Sequence, residues 1–128
     1  MDYRPIQIAE YEAVRQFLSE LGWAERVADP ARFAQMMAGA NRTIVAWDGG
    51  RVVGFGRALC DEVSNGYLSM LAVATDKRGQ GIGWEMVRHL TAGDPGITWV
   101  LRAGRESAAF WEKLGFSHSE IAMERTRR

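Results

Sequence analysis

The sequence predicts an α/β (α+β) fold: a single domain, residues 1–128, with a mixed central β-sheet flanked by helices on both faces. Three observations lead to this prediction. A chain of 128 residues has the length of one domain. Apolar patterns typical of strands and helices follow one another in the order β-α-α-β-β-β-α-β-α-β. Three consecutive strands joined by short turns, followed by a helical crossover, are typical of a mixed sheet.

The N-terminal part predicts one strand and two helices. Pro5 suits an edge strand, because proline cannot donate a backbone hydrogen bond to a neighbouring strand. Asp29 and Pro30 favour the start of a helix, as N-cap and first-turn residue. The predicted ranges are 3–9 for the strand, 10–21 for the first helix and 29–39 for the second.

Three strands are predicted in the middle of the chain, at residues 42–47, 51–60 and 67–74. Asp48-Gly49-Gly50 and Asn65-Gly66 are typical of the tight turns that join such strands. Gly54 and Gly56, inside the middle strand, indicate a bulge or the close approach of another element.

The C-terminal part predicts a helix, a strand, a helix and a last strand. Residues 84–91 have the spacing of a helix. Residues 97–101 are nearly all apolar, which favours a central buried strand. A helix over 106–114 ends at Gly115, and the last strand is predicted around residues 121–125.

Composition and charge exclude several classes of function. Hydrophobic residues make up 47% of the chain and charged residues 25%, as in ordinary globular proteins. Sixteen basic and sixteen acidic residues give zero net charge, so neither nucleic acid nor a membrane is predicted as a partner. Cys60, the single cysteine, forms no disulfide framework and builds no metal site alone. The absence of a long apolar run and of a signal peptide favours the cytoplasm.

A glycine-rich loop carries the main functional signal. Gly79, Gly81 and Gly83 lie between the predicted strand 67–74 and the helix that begins at Trp84. Glycine allows backbone N–H groups to converge because no Cβ obstructs them. The following helix adds unpaired first-turn N–H groups and the positive end of its dipole. The loop therefore predicts a site for a phosphate or pyrophosphate.

Two common phosphate loops fit this sequence poorly. A P-loop requires Gly-x-x-x-x-Gly-Lys-Ser/Thr, and no Lys-Ser or Lys-Thr follows these glycines. A dinucleotide-binding loop requires a third glycine at the position of Trp84, because only a small residue allows close helix–strand packing there. The remaining pattern, Arg78-x-x-Gly81-x-Gly83, resembles the acetyl-CoA loop of the GNAT superfamily of N-acetyltransferases.

Two further segments resemble the same family. Leu71-Ala72-Val73 precedes the loop as in GNAT proteins, and residues 109–116 resemble their A-x-F-Y-x-K-x-G-F helix ending. The three segments occur in the expected order and spacing in the second half of the chain. The predicted order of elements is also that of the GNAT fold. The first half of the chain resembles the family only in this order.

The resemblance implies acetyl-CoA as cosubstrate and no metal. Backbone groups of Leu71 and Val73 would pair with the pantetheine arm, as an added strand does, and the amides of 78–84 would hold the pyrophosphate. Lys77 and Arg78 either contact a phosphate through their charge or are solvated loop cations. The implied cofactor-binding residues are Leu71, Ala72, Val73, Arg78, Gly79, Gln80, Gly81, Ile82, Gly83, Trp84 and Trp111.

Two positions depart from the family pattern. Trp111 stands where many relatives have a Tyr that protonates the leaving thiolate, and an indole N–H cannot give up its proton at working pH. Trp111 is therefore expected to pack against the cofactor or the core. Gly104 stands near the place of a cofactor-binding Asn, which leaves Arg105 either to contact a phosphate or to be solvated.

Catalysis requires a donor for the developing oxyanion and a path for the ammonium proton. The resemblance implies the N–H of Val73 as that donor. Alternation along the strand predicts that Tyr67, Ser69 and Leu71 share a face, and none of them is a carboxylate or His. We expect Tyr67 and Ser69 to act by ordering water. No general base is assigned, and the other titratable candidates are Asp61, Glu62, His118 and Glu120.

The function implied by the resemblance is acetyl transfer from acetyl-CoA to a primary amine of a small molecule or peptide, by direct attack in a ternary complex. One alternative is a CoA-binding sensor or regulatory module with weak turnover or none. Another is a different nucleotide binder that uses the same loop. The acceptor and a homodimeric state stay open. An apolar acceptor pocket is indicated by Trp23, Phe33, Met36 and Met37.

Overall fold

A computed structural model of the chain describes residues 1–104 and 106–128. Its five strands form one sheet in the order β1-β2-β3-β4-β5, in which β1 to β4 are antiparallel and β5 is parallel to β4. The predicted mixed sheet is confirmed. The elements are β1 (Asp2–Arg4), α1 (Tyr11–Leu18), α2 (Pro30–Gly39), β2 (Arg42–Asp48), β3 (Arg51–Cys60), β4 (Asn65–Val73), α3 (Ile82–Leu90), β5 (Thr98–Leu101) and α4 (Ala108–Lys113).

Helices cover both faces of the sheet, and β3 shows which helix lies on which face. A Cβ added to Gly54 would lie 2.9 Å from the sulfur of Met86, so α3 packs closely against this face. Arg57, which lies on the opposite face of β3 from Gly54, donates a hydrogen bond to the carbonyl of Met36 in α2. The close approach predicted from the glycines of β3 is therefore confirmed, and it is α3 that approaches.

The N-terminal region differs from its prediction in the length of two elements. β1 ends at Arg4, because Pro5 has no N–H to donate and the N–H of Ile6 donates to the Thr43 hydroxyl instead. α1 ends at Leu18 and continues as a π-helical turn to Trp23. The predicted start of α2 is confirmed, since the carboxylate of Asp29 accepts from the N–H of Ala31 at 2.9 Å.

The prediction that residues 97–101 form a central strand is wrong. β5 is the last strand of the sheet, and its side chains are half exposed, with Val100 44% exposed. Its apolar character instead serves contacts on one face: the Trp99 ring lies so close over Gly66 that a Cβ at Gly66 would overlap it. An apolar run in a short segment therefore did not distinguish an edge strand from a central one.

The predicted last strand, residues 121–125, is also wrong. Among the described residues this segment pairs with no strand, and Ile121 and Met123 are 91% and 97% exposed. The Ser119 hydroxyl accepts the N–H groups of Ile121 and Ala122, which turns the chain at this point. No helix within the described residues is long and apolar enough to cross a membrane.

Candidate active site

A β-bulge in β4 lies at the centre of the candidate site. Met70 pairs with Arg57 in β3 and Leu68 pairs with Ala58, so Ser69 is an extra residue in β4. A bulge of this kind bends the strand and increases its twist. At this bend β4 stays paired with β3 on one side and separates from β5 on the other.

β4 and β5 separate immediately before the bulge. Their parallel pairing ends at Leu68 and Leu101, although β4 continues to Val73. Residues 69–73 therefore have a strand partner on the β3 side only, within the part of the chain that the structure describes. The sheet is open here in a wedge between β4 and β5.

Backbone groups of β4 are exposed along this wedge. The N–H of Ala74 donates to the carbonyl of Val53 at 2.8 Å, and Ala72 lies opposite Phe55, so these two residues point towards β3. Because consecutive residues of a strand direct their backbone groups to opposite sides, those of Leu71 and Val73 point into the wedge. Such an edge can accept one more extended chain through main-chain hydrogen bonds.

The glycine loop lies between β4 and α3, and its glycines serve two different purposes. Gly79 and Gly81 have φ of +78° and +86°, a conformation that other residues adopt only with strain. Gly81 is the N-cap of α3, and no side chain caps this helix, so its first-turn N–H groups are available to a ligand. Gly83 instead allows close packing, since a Cβ there would lie 3.1 Å from the Phe110 ring.

The cations of the loop have partners within the protein. The ammonium of Lys77 lies 3.1 Å from a carboxylate oxygen of Asp48, the last residue of β2 before the β2–β3 turn. The Nε of Arg78 donates to the carbonyl of Val73 at 3.3 Å. Both residues also line the cavity described below. Lys77 and Arg78 therefore each have a partner within the protein at the loop, and Arg78 is also exposed to solvent.

A second ion pair ties the same turn to the start of the loop. Arg51 donates two hydrogen bonds, of 2.9 and 2.8 Å, to the carboxylate of Asp76. These bonds stabilise the ionised carboxylate and lower the pKa of Asp76 to about 2. Together with the Lys77 pair, this contact fixes the approach of the chain to the glycine loop.

A cavity of about 840 Å³ joins the wedge to the loop. It extends from Leu21 and Trp23, after α1, to Phe110 on α4. Tyr67 and Gln80 do not line it. The predicted site residues that line it are Ser69, Leu71, Ala72, Val73, Arg78, Gly79, Gly81, Ile82, Gly83, Trp84 and Trp111.

Sequence reasoning missed part of this cavity. Leu101 and Arg102 line it because β5 ends at the wedge, which only the sheet register reveals. Glu106 also lines it, and it is the one carboxylate among the described lining residues. Of the side chains expected in an apolar acceptor pocket, Trp23 lines the cavity, whereas Phe33 and Met37 are buried in the core.

The bulge changes the predicted orientation of the side chains along β4. The hydroxyl of Ser69 accepts a hydrogen bond from Arg57 on the α2 face of the sheet. Leu71 lies on the other face, where its Cδ1 is 3.0 Å from the place of a Cβ on Gly56. The prediction that Tyr67, Ser69 and Leu71 share a face is therefore wrong for Leu71, because the extra residue shifts the alternation by one.

Trp111 packs between two aromatic rings. It makes edge-to-face contacts with Phe110 and Phe116, with ring centroids 5.0 and 5.4 Å apart, and its other side borders the cavity. Gly104 also lines the cavity, whereas Arg105, considered above as a phosphate contact, lies outside the described residues. Trp111 thus joins the core to the cavity wall.

The other titratable candidates lie away from the cavity. The Asp61 carboxylate accepts from three backbone N–H groups of its own turn and from the Ser64 hydroxyl, which lowers its pKa. Glu62 forms two hydrogen bonds with Arg42. His118 and Glu120 are exposed. Within the described residues no cluster of His, Cys, Asp or Glu could hold a metal ion.

This combination of an open β4 edge and a glycine loop at a helix start defines the class to which the protein belongs. The family described as "Acetyltransferase (GNAT) domain" matches residues 39–118. The chain belongs to the GNAT acetyltransferase family, and this membership makes it an acetyltransferase. Among curated proteins, no sequence matches it significantly.

Solved structures show the same fold. A GNAT-family protein from Xanthomonas campestris pv. campestris matches with a TM-score of 0.78 and 18% identity, over 99% of this chain and 94% of that one. An acetyltransferase from Trypanosoma brucei matches with a TM-score of 0.75 and 23% identity, over 98% and 99%. An acetyltransferase candidate from Deinococcus radiodurans R1 is 26% identical over 75% of this chain and 68% of that one, with a TM-score of 0.64.

Proposed function

We propose that the protein is an N-acetyltransferase that transfers the acetyl group of acetyl-CoA to a primary amine of a small molecule or peptide. One observation carries this proposal: a single cavity runs from the glycine loop, along the open edge of β4, to Ser69 and Trp23 on the side of α1 and α2. Such a cavity gives room for a cosubstrate at one part and an amine at another. Direct transfer between them needs no covalent enzyme intermediate.

The residues present fit acetyl-CoA. The backbone groups of Leu71 and the N–H of Val73 form an edge that pairs with an extended pantetheine arm, whereas the carbonyl of Val73 already accepts a hydrogen bond from Arg78. The uncapped N–H groups at the start of α3, next to Gly79 and Gly81, suit a diphosphate. When bound there, acetyl-CoA supplies an activated thioester whose acetyl group lies near the bulge. In this proposal Trp111 packs against the cosubstrate and donates no proton.

The chain's own groups serve the chemistry as follows. A backbone N–H on the open edge of β4, at Val73 or nearby, stabilises the negative charge that develops on the carbonyl oxygen. The new C–N bond forms as the C–S bond breaks, and the thiolate departs without a protonating Tyr, because a free thiol has a pKa of about 8.5. The proton lost by the amine passes to water held by the Ser69 hydroxyl. Tyr67 extends this water chain from the α2 face of β4.

Release of free thiol tests the proposal. The purified protein is incubated with acetyl-CoA and a panel of primary amines that includes amino acids, polyamines, arylalkylamines and short peptides. We expect thiol release that depends on both the protein and the amine, with a product heavier by one acetyl group. CoA binding without thiol release for any amine would contradict catalysis.

A CoA-binding module without turnover is a second candidate. It is favoured by Trp111 in the place of the family's Tyr and by the absence of a carboxylate or His on the cavity-lining part of β4. The substitution Trp111→Tyr separates the two functions. If the wild type is inert and Trp111→Tyr creates thiol release, the module is the better description. If both release thiol, the enzyme is.

A further inference from the structure

Arg57 is a buried cation without a counter-ion. It is 9% exposed, and its Nε has no hydrogen-bond partner. Nη1 donates to the carbonyl of Met36 at 3.3 Å, and Nη2 donates to the hydroxyl of Ser69 at 3.1 Å. No Asp or Glu among the described residues lies within ion-pair distance of it. Both of its partners are neutral.

Burial of the Arg57 charge is energetically unfavourable unless an anion pairs with it. A guanidinium carries five N–H donors and remains charged at any working pH. Burying a charge without an opposite charge or full hydrogen bonding is strongly unfavourable. The remaining donors of Arg57 form a planar fork that matches the oxygens of a carboxylate or a phosphate. Arg57 therefore has the chemistry of an anion site that awaits its anion.

The surroundings of Arg57 favour an anion further. Burial lowers the pKa of Arg57 and the charge of Arg26 lowers it further, whereas Tyr67 raises it and Arg127 adds a smaller lowering. The guanidinium of Arg26 lies over the ring of Trp23, 4.8 Å from its centroid. The positive charges of Arg26 and Arg57 thus act on each other on the α2 face of β4, although the chain as a whole is neutral.

Arg57 and Arg26 do not themselves line the cavity, but each contacts a residue that does. Ser69, which accepts from Arg57, and Trp23, which Arg26 covers, both line the cavity. In the proposed function the cosubstrate is bound by the glycine loop and the open edge of β4. Arg57 and Arg26 take no part in binding it. An anionic group reaching this point would lie beside the bulge, where the proposed function places the amine.

We propose that Arg57, with Arg26, binds an anionic oxygen group of the acceptor, so that the preferred acceptor is a primary amine that also carries a carboxylate or a phosphate. This inference rests on the proposed function, because it names the acceptor of that reaction. The anion is held by the guanidinium fork of Arg57, and the amine of the same molecule lies at the bulge. Arg57 is then a determinant of specificity.

Matched pairs of acceptors test the inference. Glycine, β-alanine, 4-aminobutyrate and glutamate are each compared with their amides, and phosphoethanolamine is compared with ethanolamine. For the wild type we expect kcat/KM to favour the anionic member of at least one pair by about ten- to a hundredfold, as for a hydrogen bond to a charged group. The carboxylate pairs and the phosphate pair are measured separately. The pair with the larger ratio of kcat/KM shows whether a carboxylate or a phosphate fits the site.

The variant Arg57→Met should abolish this preference, and Arg57→Lys should retain part of it. The control is Arg4→Gln, which also removes one positive charge. Arg4 lies on β1, the edge strand at the other side of the sheet from the wedge, so the preference should be unchanged. The ratio within a pair does not depend on the fraction of folded protein, so a merely structural role of Arg57 would lower both rates equally. That result, or equal rates for both members of every pair in the wild type, would overturn the inference.

Calorimetric titration of the same pairs into the protein saturated with CoA separates this inference from the proposed function. Binding of an anionic amine that Arg57→Met weakens at least tenfold, without thiol release for any amine, supports the anion site and contradicts catalysis. Thiol release with neutral amines alone supports catalysis and overturns the anion site. If neither pair member binds or reacts, the inference is overturned as well.

Discussion

The hydroxyl oxygen of Ser69 lies 3.1 Å from Nη2 of Arg57, and this contact joins the bulge of β4 to the neighbouring strand. Ser69 is the extra residue of the bulge, and Arg57 reaches across to α2 through the carbonyl of Met36. The contact therefore fixes β4 where it separates from β5. The same bulge opens the edge proposed to hold the cosubstrate and positions the cation proposed to select the acceptor.

Substituting Gly81 should weaken CoA binding. Its φ is +86°, and an alanine in this region costs about 1–2 kcal/mol of backbone strain. The strain would displace the N–H groups at the start of α3, so Gly81→Ala should raise the dissociation constant of CoA by about tenfold, measured calorimetrically. Gly50→Ala is the control, because Gly50 has no positive φ and open space around its Cβ. Equal affinities for the two variants would contradict the role of the loop.

Substituting Gly83 should destabilise the fold by a different cause. The new Cβ would lie 3.1 Å from the Phe110 ring, closer than an ordinary van der Waals contact, so the ring would have to shift. Overpacking of this kind costs about 1–3 kcal/mol in the free energy of unfolding, measured by urea denaturation. Gly39→Ala, where no atom lies within 4 Å of the new Cβ, should cost nothing comparable. A Gly83→Ala variant as stable as the wild type would show that this packing is not tight.

The pair of Arg51 and Asp76 should make stability depend on acid pH. The folded-state pKa of Asp76, about 2, lies below its ordinary value of 3.8. The stabilisation is therefore complete above the ordinary value and is lost as the pH falls from about 4 to about 2. Asp76→Asn should remove this part of the pH dependence of the urea midpoint.

The partner variant provides the control for that experiment. Arg51→Gln should remove the same increment, and the double variant should remove no more than either single one, because both report one interaction. High salt should reduce the effect, since both side chains are more than half exposed. An undiminished increment in Arg51→Gln would assign the acid dependence to another group.

Replacing Trp111 by Phe should leave the pH profile of kcat unchanged. The indole N–H donates no proton in the proposed reaction, and phenylalanine keeps a ring between Phe110 and Phe116. Trp111→Ala removes that ring and should lower the free energy of unfolding by about 3 kcal/mol. Loss of one limb of the pH profile in Trp111→Phe would indicate that the indole takes part in proton transfer.

Sequence reasoning succeeded where structure is local. The glycine loop before α3, the cap at Asp29 and the turn at Gly49 each follow from a few adjacent residues, and all were predicted. The resemblance to one family then connected the loop to the strand before it. Much of the cosubstrate side of the cavity could therefore be named before the fold was seen.

Sequence reasoning failed where a feature depends on which strands or side chains pair in the folded chain. The edge position of β5 depends on which strands lie beside it, and its apolar run carries no such information. The extra residue at Ser69 appears only in the register against β3, and it reversed the expected side of Leu71. The isolation of Arg57 likewise depends on α2 and β4, which are distant in sequence.

Crystals of the protein soaked with CoA test the central claim most directly, namely that the open edge of β4 and the glycine loop together hold the cosubstrate. We expect the pantetheine arm to hydrogen-bond the backbone of Leu71 and Val73, and the diphosphate to contact the amides at the start of α3. Density for CoA elsewhere, or a wedge still empty at saturating CoA, would contradict the claim.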